Sequence, residues 1–215
     1  LAEIKVTITG TNDLPQISQA DKSITENPNA SGGVLTTIGT LTITDADAGE
    51  ARFQPGAVLS KVEGNFLTAN TALGTLAFNT DGSYTYSVDN SKVAYLKTGE
   101  SVVETYTITS FDKTTTSTIT IRIFGVDSGA VVTPANPGGD KGSVTEDGQL
   151  TAGGKLNVVD PDAGQAVFVA QNNVSTTYGK FSIDANGNWS YQLNNSHSAV
   201  QALGAGQTLT ETRTV

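Results

Sequence analysis

Apolar and polar residues alternate with period two along most of the chain, which predicts strands. Ile4, Val6 and Ile8 alternate with Lys5, Thr7 and Thr9, and Gly10 closes the run. Leu41 and Ile43 alternate with Thr42 and Thr44 at the end of a strand expected over residues 34–43. Residues 102–108, and Ile119, Ile121 and Ile123 before Gly125, read the same way. Leu76 and Phe78, then Tyr84, Tyr86 and Val88, flank an Asp81-Gly82 pair, which predicts a hairpin. Phe53, Val58, Val62 and Phe66 mark further strand or loop core. Residues 93–97 predict one helical or 3₁₀ turn ending at Gly99.

The pattern occurs twice. Residues 160–165, DPDAGQ, echo residues 45–50, DADAGE. Ser143-Val144-Thr145-Glu146-Asp147 echoes Ser23-Ile24-Thr25-Glu26-Asn27, and Gly187-Asn188-Trp189-Ser190-Tyr191 echoes Gly82-Ser83-Tyr84-Thr85-Tyr86. Matched residues lie about 105 to 120 positions apart. That is the length of a whole domain rather than of a solenoid unit. Short strands at turn-punctuated spacing predict an all-β chain of tandem immunoglobulin-like β-sandwiches. Residues 4–10 match 119–125, which sets the phase of the repeat. Residues 1–10 are expected to be the last strand of a preceding repeat, and 11–126 a first sandwich. A linker is expected over 127–142, then a second sandwich over 143–215 that stops before its last strand. Such a sandwich has an open sheet edge, and the orphan strand over residues 1–9 suits it by strand exchange between copies. The alternative is an orphan strand that is disordered or packs on its own chain.

Composition narrows the function. The chain of 215 residues has no Cys, so thiolate metal sites, a Cys nucleophile and disulfides are excluded. It has no Met, which suggests a fragment or a processed chain, and no apolar run long enough to span a membrane. A net charge of −9 argues against nucleic acid as a partner.

The repeated acidic turn carries the candidate chemistry. Asp45 and Asp47, and again Asp160 and Asp162, sit one residue apart just past a strand. Two close carboxylates repel unless something positive lies between them. A hard divalent cation meets that need, and calcium tolerates irregular oxygen geometry best. A solvated Asx-turn is the alternative. Other chemistry finds little support. His197 is the only histidine and has no triad partner beside it. Asp81 and Asp184 could pair as glycosidase acids, but they occupy matching hairpin turns of separate repeats. Trp189, Tyr84, Tyr86 and Tyr191 read as core. The chain is therefore not expected to be an enzyme.

Ile8-Thr9-Gly10-Thr11-Asn12-Asp13-Leu14-Pro15, Val144-Thr145-Glu146-Asp147-Gly148, Asp160-Pro161-Asp162-Ala163-Gly164 and Gly187-Asn188-Trp189-Ser190-Tyr191 resemble the VCBS repeat. That is a cadherin-like tandem module of large bacterial RTX-type surface adhesins. The resemblance covers nearly the whole chain. It implies cadherin-like sandwiches in a long array, type I secretion, an extracellular or cell-surface location, and Ca2+ at domain junctions shared with neighbouring repeats. The implied ligands are Asn12, Asp13, Asp45 and Asp47 at the first junction, with Asp112 facing the same site. At the middle junction they are Glu26, Asp127, Asp160 and Asp162, with Glu100 as a weaker match. Glu146 and Asp147 would face a following repeat, or lie empty. The second linker departs from the family pattern: Gly125-Val126-Asp127-Ser128 stands where the first has Gly10-Thr11-Asn12-Asp13. The implied function is a calcium-stabilised extender of an adhesin rod serving adhesion or biofilm formation. The competing reading is an adhesion module that binds glycan or protein through its loops.

Overall fold

The computed structural model describes residues 2–29, 32–64 and 72–215. The chain divides into two units, Leu1–Asp127 and Ser128–Val215. The regular elements of both are almost all strands, as the alternation predicts.

The first unit contains β1 (Gln16–Ile17), β2 (Ala20–Thr25), β3 (Val34–Thr40), β4 (Ile43–Thr44), β5 (Val58–Gly64), β6 (Gly74–Phe78), β7 (Ser83–Asp89), β8 (Ser101–Thr109) and β9 (Thr116–Phe124). One sheet has the order β2-β9-β8-β5 and the other β3-β7-β6, and β1 pairs with β4. Strands β2 and β9 run parallel, whereas the other pairs are antiparallel. Alternation along β8 and β9 turns Val102, Ile108, Ile119, Ile121 and Ile123 inward, all fully buried. They join Phe53, Phe78, Tyr86 and Val88 in one core. Burying each such side chain contributes about 1.5–3 kcal/mol, so this alternation is what holds the sheets face to face.

Three features of this unit differ from the sequence reading. No strand occurs in residues 2–15, and Ile4, Val6 and Ile8 are 90%, 75% and 91% exposed. Alternation qualifies a segment for a sheet but supplies no partner, and none of the described strands pairs with it. Val58 is exposed whereas Val62 is buried, because the register of β5 shifts between Leu59 and Lys61 and switches the inward face. Phe66 lies outside the described residues. The 3₁₀ turn is Asn90–Lys92, earlier than residues 93–97, because the Asp89 side chain caps it by accepting from Ser91 N.

The second unit contains β10 (Val131–Pro134), β11 (Thr151–Val159), β12 (Gln171–Ser175), β13 (Gly179–Ile183), β14 (Asn188–Leu193) and one short helix, α1 (Ser198–Gln201). Its sheet has the order β10-β11-β14-β13-β12, antiparallel throughout. Residues 131–134, expected in the linker, are thus an edge strand. Val131 opposes Val159 and Pro134 opposes Leu156. Proline is tolerated at the end of an edge strand, where its missing N–H breaks no ladder. Phe168, Phe181 and Ile183 form the buried centre, with Leu156, Val158 and Trp189 against them.

The acidic turns hang from the same anchors in both units. Leu41 N donates to Gly82 O at 2.9 Å and Phe53 N to Thr80 O at 3.0 Å. In the second unit Leu156 N donates to Gly187 O at 2.9 Å and Phe168 N to Ala185 O at 3.1 Å. Gly82 and Gly187 have φ of +88° and +80°, and a Cβ at either would lie 2.2 Å from the carbonyl oxygen of Leu41 or Leu156. Only glycine fits there.

Candidate metal centre

In the first unit the pairing of β1 with β4 fixes which residues meet. It carries Asn12 and Asp13, just before β1, to the carboxylates just past β4. Asp13 N donates to Asp47 Oδ2 at 2.7 Å. Asp47 N donates to Asp45 Oδ1 at 2.8 Å, and Glu50 N to Asp47 O at 3.2 Å. The chain therefore winds tightly, and carboxylate oxygens of Asp45, Asp47 and Glu50 come within 4.8 Å of one another. Phe111 N donates to Arg52 O at 2.9 Å, which ties the turn between β8 and β9 to the same end. That turn carries Asp112, whose Oδ2 accepts from Asn12 Nδ2 at 3.1 Å. Five predicted ligands, Asn12, Asp13, Asp45, Asp47 and Asp112, thus gather at one end of the unit.

Glu50 was not among the residues the sequence singled out. It stood at the end of the repeated motif, where it read as a flank. Its Oε2 and the Oδ2 of Asp45 are buried without a hydrogen-bond partner. Burial first, then Asp47, Asp45 and Asp112, push the Glu50 carboxyl above its ordinary value, and Arg52 offsets only part of this. The Arg52 guanidinium lies over the Phe111 ring, 3.5 Å from its centroid. Hydrogen bonds from Ser110 and Thr114, and a weaker one from Asn12, hold Asp112 well below the usual carboxylate range.

The donor set fits calcium. All the donors are oxygens, the geometry is irregular, and two of the oxygens are buried and unsatisfied. Calcium takes oxygen ligands at about 2.3–2.6 Å in flexible arrangements, so one ion reaches oxygens that lie up to 4.8 Å apart. Asp45, Asp47 and Glu50 would hold it.

The other predicted residues lie elsewhere. Glu26 follows β2 at the opposite end of the first unit, where its Oε1 accepts from Val126 N at 2.7 Å. At that end Asp127 N donates to Thr98 Oγ1 at 2.8 Å, and Glu100 Oε2 accepts from Lys97 N at 3.0 Å. In the second unit Asp162 N donates to Asp160 Oδ1 at 2.9 Å, and Ser128 N to Asp162 Oδ2 at 2.6 Å. Asp162 is only 1% exposed, and its Oδ1 has no hydrogen-bond partner. Glu146 is half-buried, and Asp147 exchanges hydrogen bonds with the side chain of Asn195.

A second buried carboxylate escaped the sequence reading. Glu104 on β8 is fully buried and accepts from Tyr86 Oη and Tyr106 Oη, both at 2.8 Å, and from Leu73 N. Burial and this carboxylate push both phenols far up. Glu211 repeats the arrangement with Tyr191, Thr176 and Tyr178 N. Burial, then the hydrogen bond to Glu211, push the Tyr191 phenol up to about 12. The signal was the recurrence of Glu-Thr at 104–105 and 211–212.

Residues 133–215 match the family model of the bacterial cadherin-like domain. A search of curated proteins finds no match. Among solved structures, PcdhgB3 EC1-4 aligns with a TM-score of 0.43 at 15% identity, over 83% of this chain and 40% of its own length. The titin domains z1z2 in complex with telethonin align with a TM-score of 0.34 at 10% identity, over 89% of this chain and 86% of theirs. The human desmocollin-1 ectodomain aligns with a TM-score of 0.33 at 13% identity, over 83% and 33%.

Proposed function

We propose that the chain is a pair of calcium-stabilised extender repeats from a large secreted bacterial adhesin, stiffening a surface rod that supports adhesion or biofilm formation. The match of residues 133–215 to the bacterial cadherin-like domain supports the adhesion side of this reading. The calcium side rests on one observation: Asp45, Asp47 and Glu50 converge within 4.8 Å, with buried oxygens that have no hydrogen-bond partner.

Bound calcium supplies the positive charge that these oxygens lack. The chain does the rest. Leu41 and Phe53 clamp both ends of the turn to the core, and the Asp13 amide orients Asp47. Asn12 links Asp112 to the segment before β1. Without the ion, the like charges work against this end of the unit. Extracellular modules bind calcium at about 10⁻⁴–10⁻³ M. At 100 times the dissociation constant the gain in stability is about 2.7 kcal/mol, or roughly 10 °C in melting temperature for a domain of this size.

The test is calorimetric calcium titration with thermal melting of the wild type and of D45N/D47N. Binding heat and a raised melting temperature in the wild type, both lost in the variant, are expected. No heat and no shift at millimolar calcium would leave the turn as a plain Asx-turn and remove the proposal.

A further inference from the structure

The acidic turn of the first unit carries a cation of its own. Residues 45–53, DADAGEARF, hold three acids and one base, Arg52. Residues 160–168, DPDAGQAVF, hold two acids and no base, with Val167 at the matching position. The backbone is the same in both. Arg52 N donates to Glu50 O at 2.6 Å, and Val167 N donates to Gln165 O at 2.6 Å. Val167 is 57% exposed, so the fold asks nothing specific of this side chain. The turn closes without an arginine, and the base appears only in the copy that has the third acid.

The guanidinium is set on an aromatic ring rather than on the orphaned oxygens. It lies 3.5 Å from the centroid of Phe111, a cation–π contact. Phe111 is held from both sides of its backbone: its amide donates to Arg52 O at 2.9 Å, and its carbonyl accepts from the Gln54 side chain. Asp45 Oδ2 and Glu50 Oε2 meanwhile have no hydrogen-bond partner. Arg52 is nonetheless close enough to act on them, since it lowers the Glu50 carboxyl while Asp47, Asp45 and Asp112 raise it. A fixed positive charge beside a cation site weakens binding by repulsion. One that closes on the carboxylates also occupies their oxygens.

We propose that Arg52 is a tethered competitor of calcium at Asp45, Asp47 and Glu50, and that Phe111 holds it aside so that the ion can enter. This rests on the calcium reading above and adds its regulation. Off the ring, the guanidinium pairs with Glu50 and closes the site. On the ring, it leaves the oxygens open and still weakens their hold on the ion. The two side chains together set the calcium concentration at which the first unit responds. When calcium is scarce, Arg52 supplies the counter-charge. When calcium is plentiful, the ion takes the carboxylates and the arginine stays on Phe111. Neither side chain touches the ion, so both are positioning residues.

The full chain and its variants R52V, F111A and R52V/F111A are titrated with calcium by calorimetry at low and at high ionic strength. The acids of the second unit are the same in all four, so differences in affinity belong to the first. R52V, which copies Val167, should bind calcium about fivefold more tightly at low salt. The gain should shrink at high salt, where exposed charges are screened. F111A should bind about threefold more weakly, because it frees Arg52 onto Glu50. R52V/F111A should match R52V, since without a guanidinium the ring has nothing to hold. Its retained affinity shows that losing the ring does not unfold the site. Calcium heat with an affinity that R52V leaves unchanged overturns the proposal and leaves the calcium reading standing. So does an F111A loss of equal size with valine at position 52, which makes Phe111 a packing residue only. No heat in any of the four removes both.

Discussion

The two acidic turns are one backbone device carrying different charge. Both bond the second aspartate amide to the first aspartate, at 2.8 Å in one unit and 2.9 Å in the other. Both bond residue 50 or 165 back to the second aspartate carbonyl, and both take an amide from the segment before the first strand. The second unit makes these bonds with Gln165 where the first has Glu50, and with Ser128 where the first has Asp13. The fold therefore needs the two aspartates and not the third acid. Glu50 adds repulsion to a turn that closes without it, and an excess of charge with no folding role is what a cation site requires.

The comparison breaks most readily at the buried glutamates. Glu104 is fully buried, whereas Glu211 is half-buried. E104A strands two phenols and an amide in the core and is expected to cost about 3–5 kcal/mol, whereas E211A costs about 1–2 kcal/mol. Chemical denaturation with separate probes of each unit measures both.

The hairpin glycines should behave alike. G82A and G187A each force a side chain against a carbonyl oxygen at positive φ. Each is expected to cost at least about 2 kcal/mol by the same assay. Unequal losses would mean that the anchors are not equivalent.

Exchanging the third acid sharpens the contrast. Without calcium, E50Q should raise the melting temperature slightly by relieving repulsion. With calcium it should lower affinity about tenfold, and Q165E should raise affinity in the second unit by a similar factor. Calorimetry and melting on the two variants check the opposite signs.

The smallest effect is acid dependence. Glu50 is raised above its ordinary 4.5, so the stability tied to its protonated form is present below that value and lost as pH rises through the folded value. Asp112 is lowered from its ordinary 3.8, so its contribution is present above that value and lost as pH falls through the folded one. Calcium-free melts should therefore show the first unit gaining slightly as pH falls toward 4.5 and losing as it falls further below 3.8. E50Q should abolish the gain alone.

Strand identity was legible wherever a period-two run also had a neighbour to pair with, as in β8 and β9. Residues 4–9 carry the same pattern and form no strand, because a pattern does not specify its partner. β10 was hidden by prolines and by the scarcity of flanking apolar residues, although its register against β11 is regular. The paired aspartates were visible as a repeated motif. Glu50 was not, since only the winding of the turn brings it to them. Glu104 sits at an inward position of β8, between Val102 and Tyr106, yet a charge there argued against burial until its tyrosine partners were seen.

The parallel pairing of β2 with β9 has a mechanical meaning. β2 lies near the start of the first unit and β9 near its end, and six residue pairs, Ala20↔Ile119 to Thr25↔Phe124, join them side by side. Tension applied to the two ends of the unit pulls these strands past each other along their length. The bonds of the ladder are then loaded together in shear rather than opened one after another like a zipper. A domain stitched this way resists stretching through its backbone, before any side chain or ion is asked to bear load.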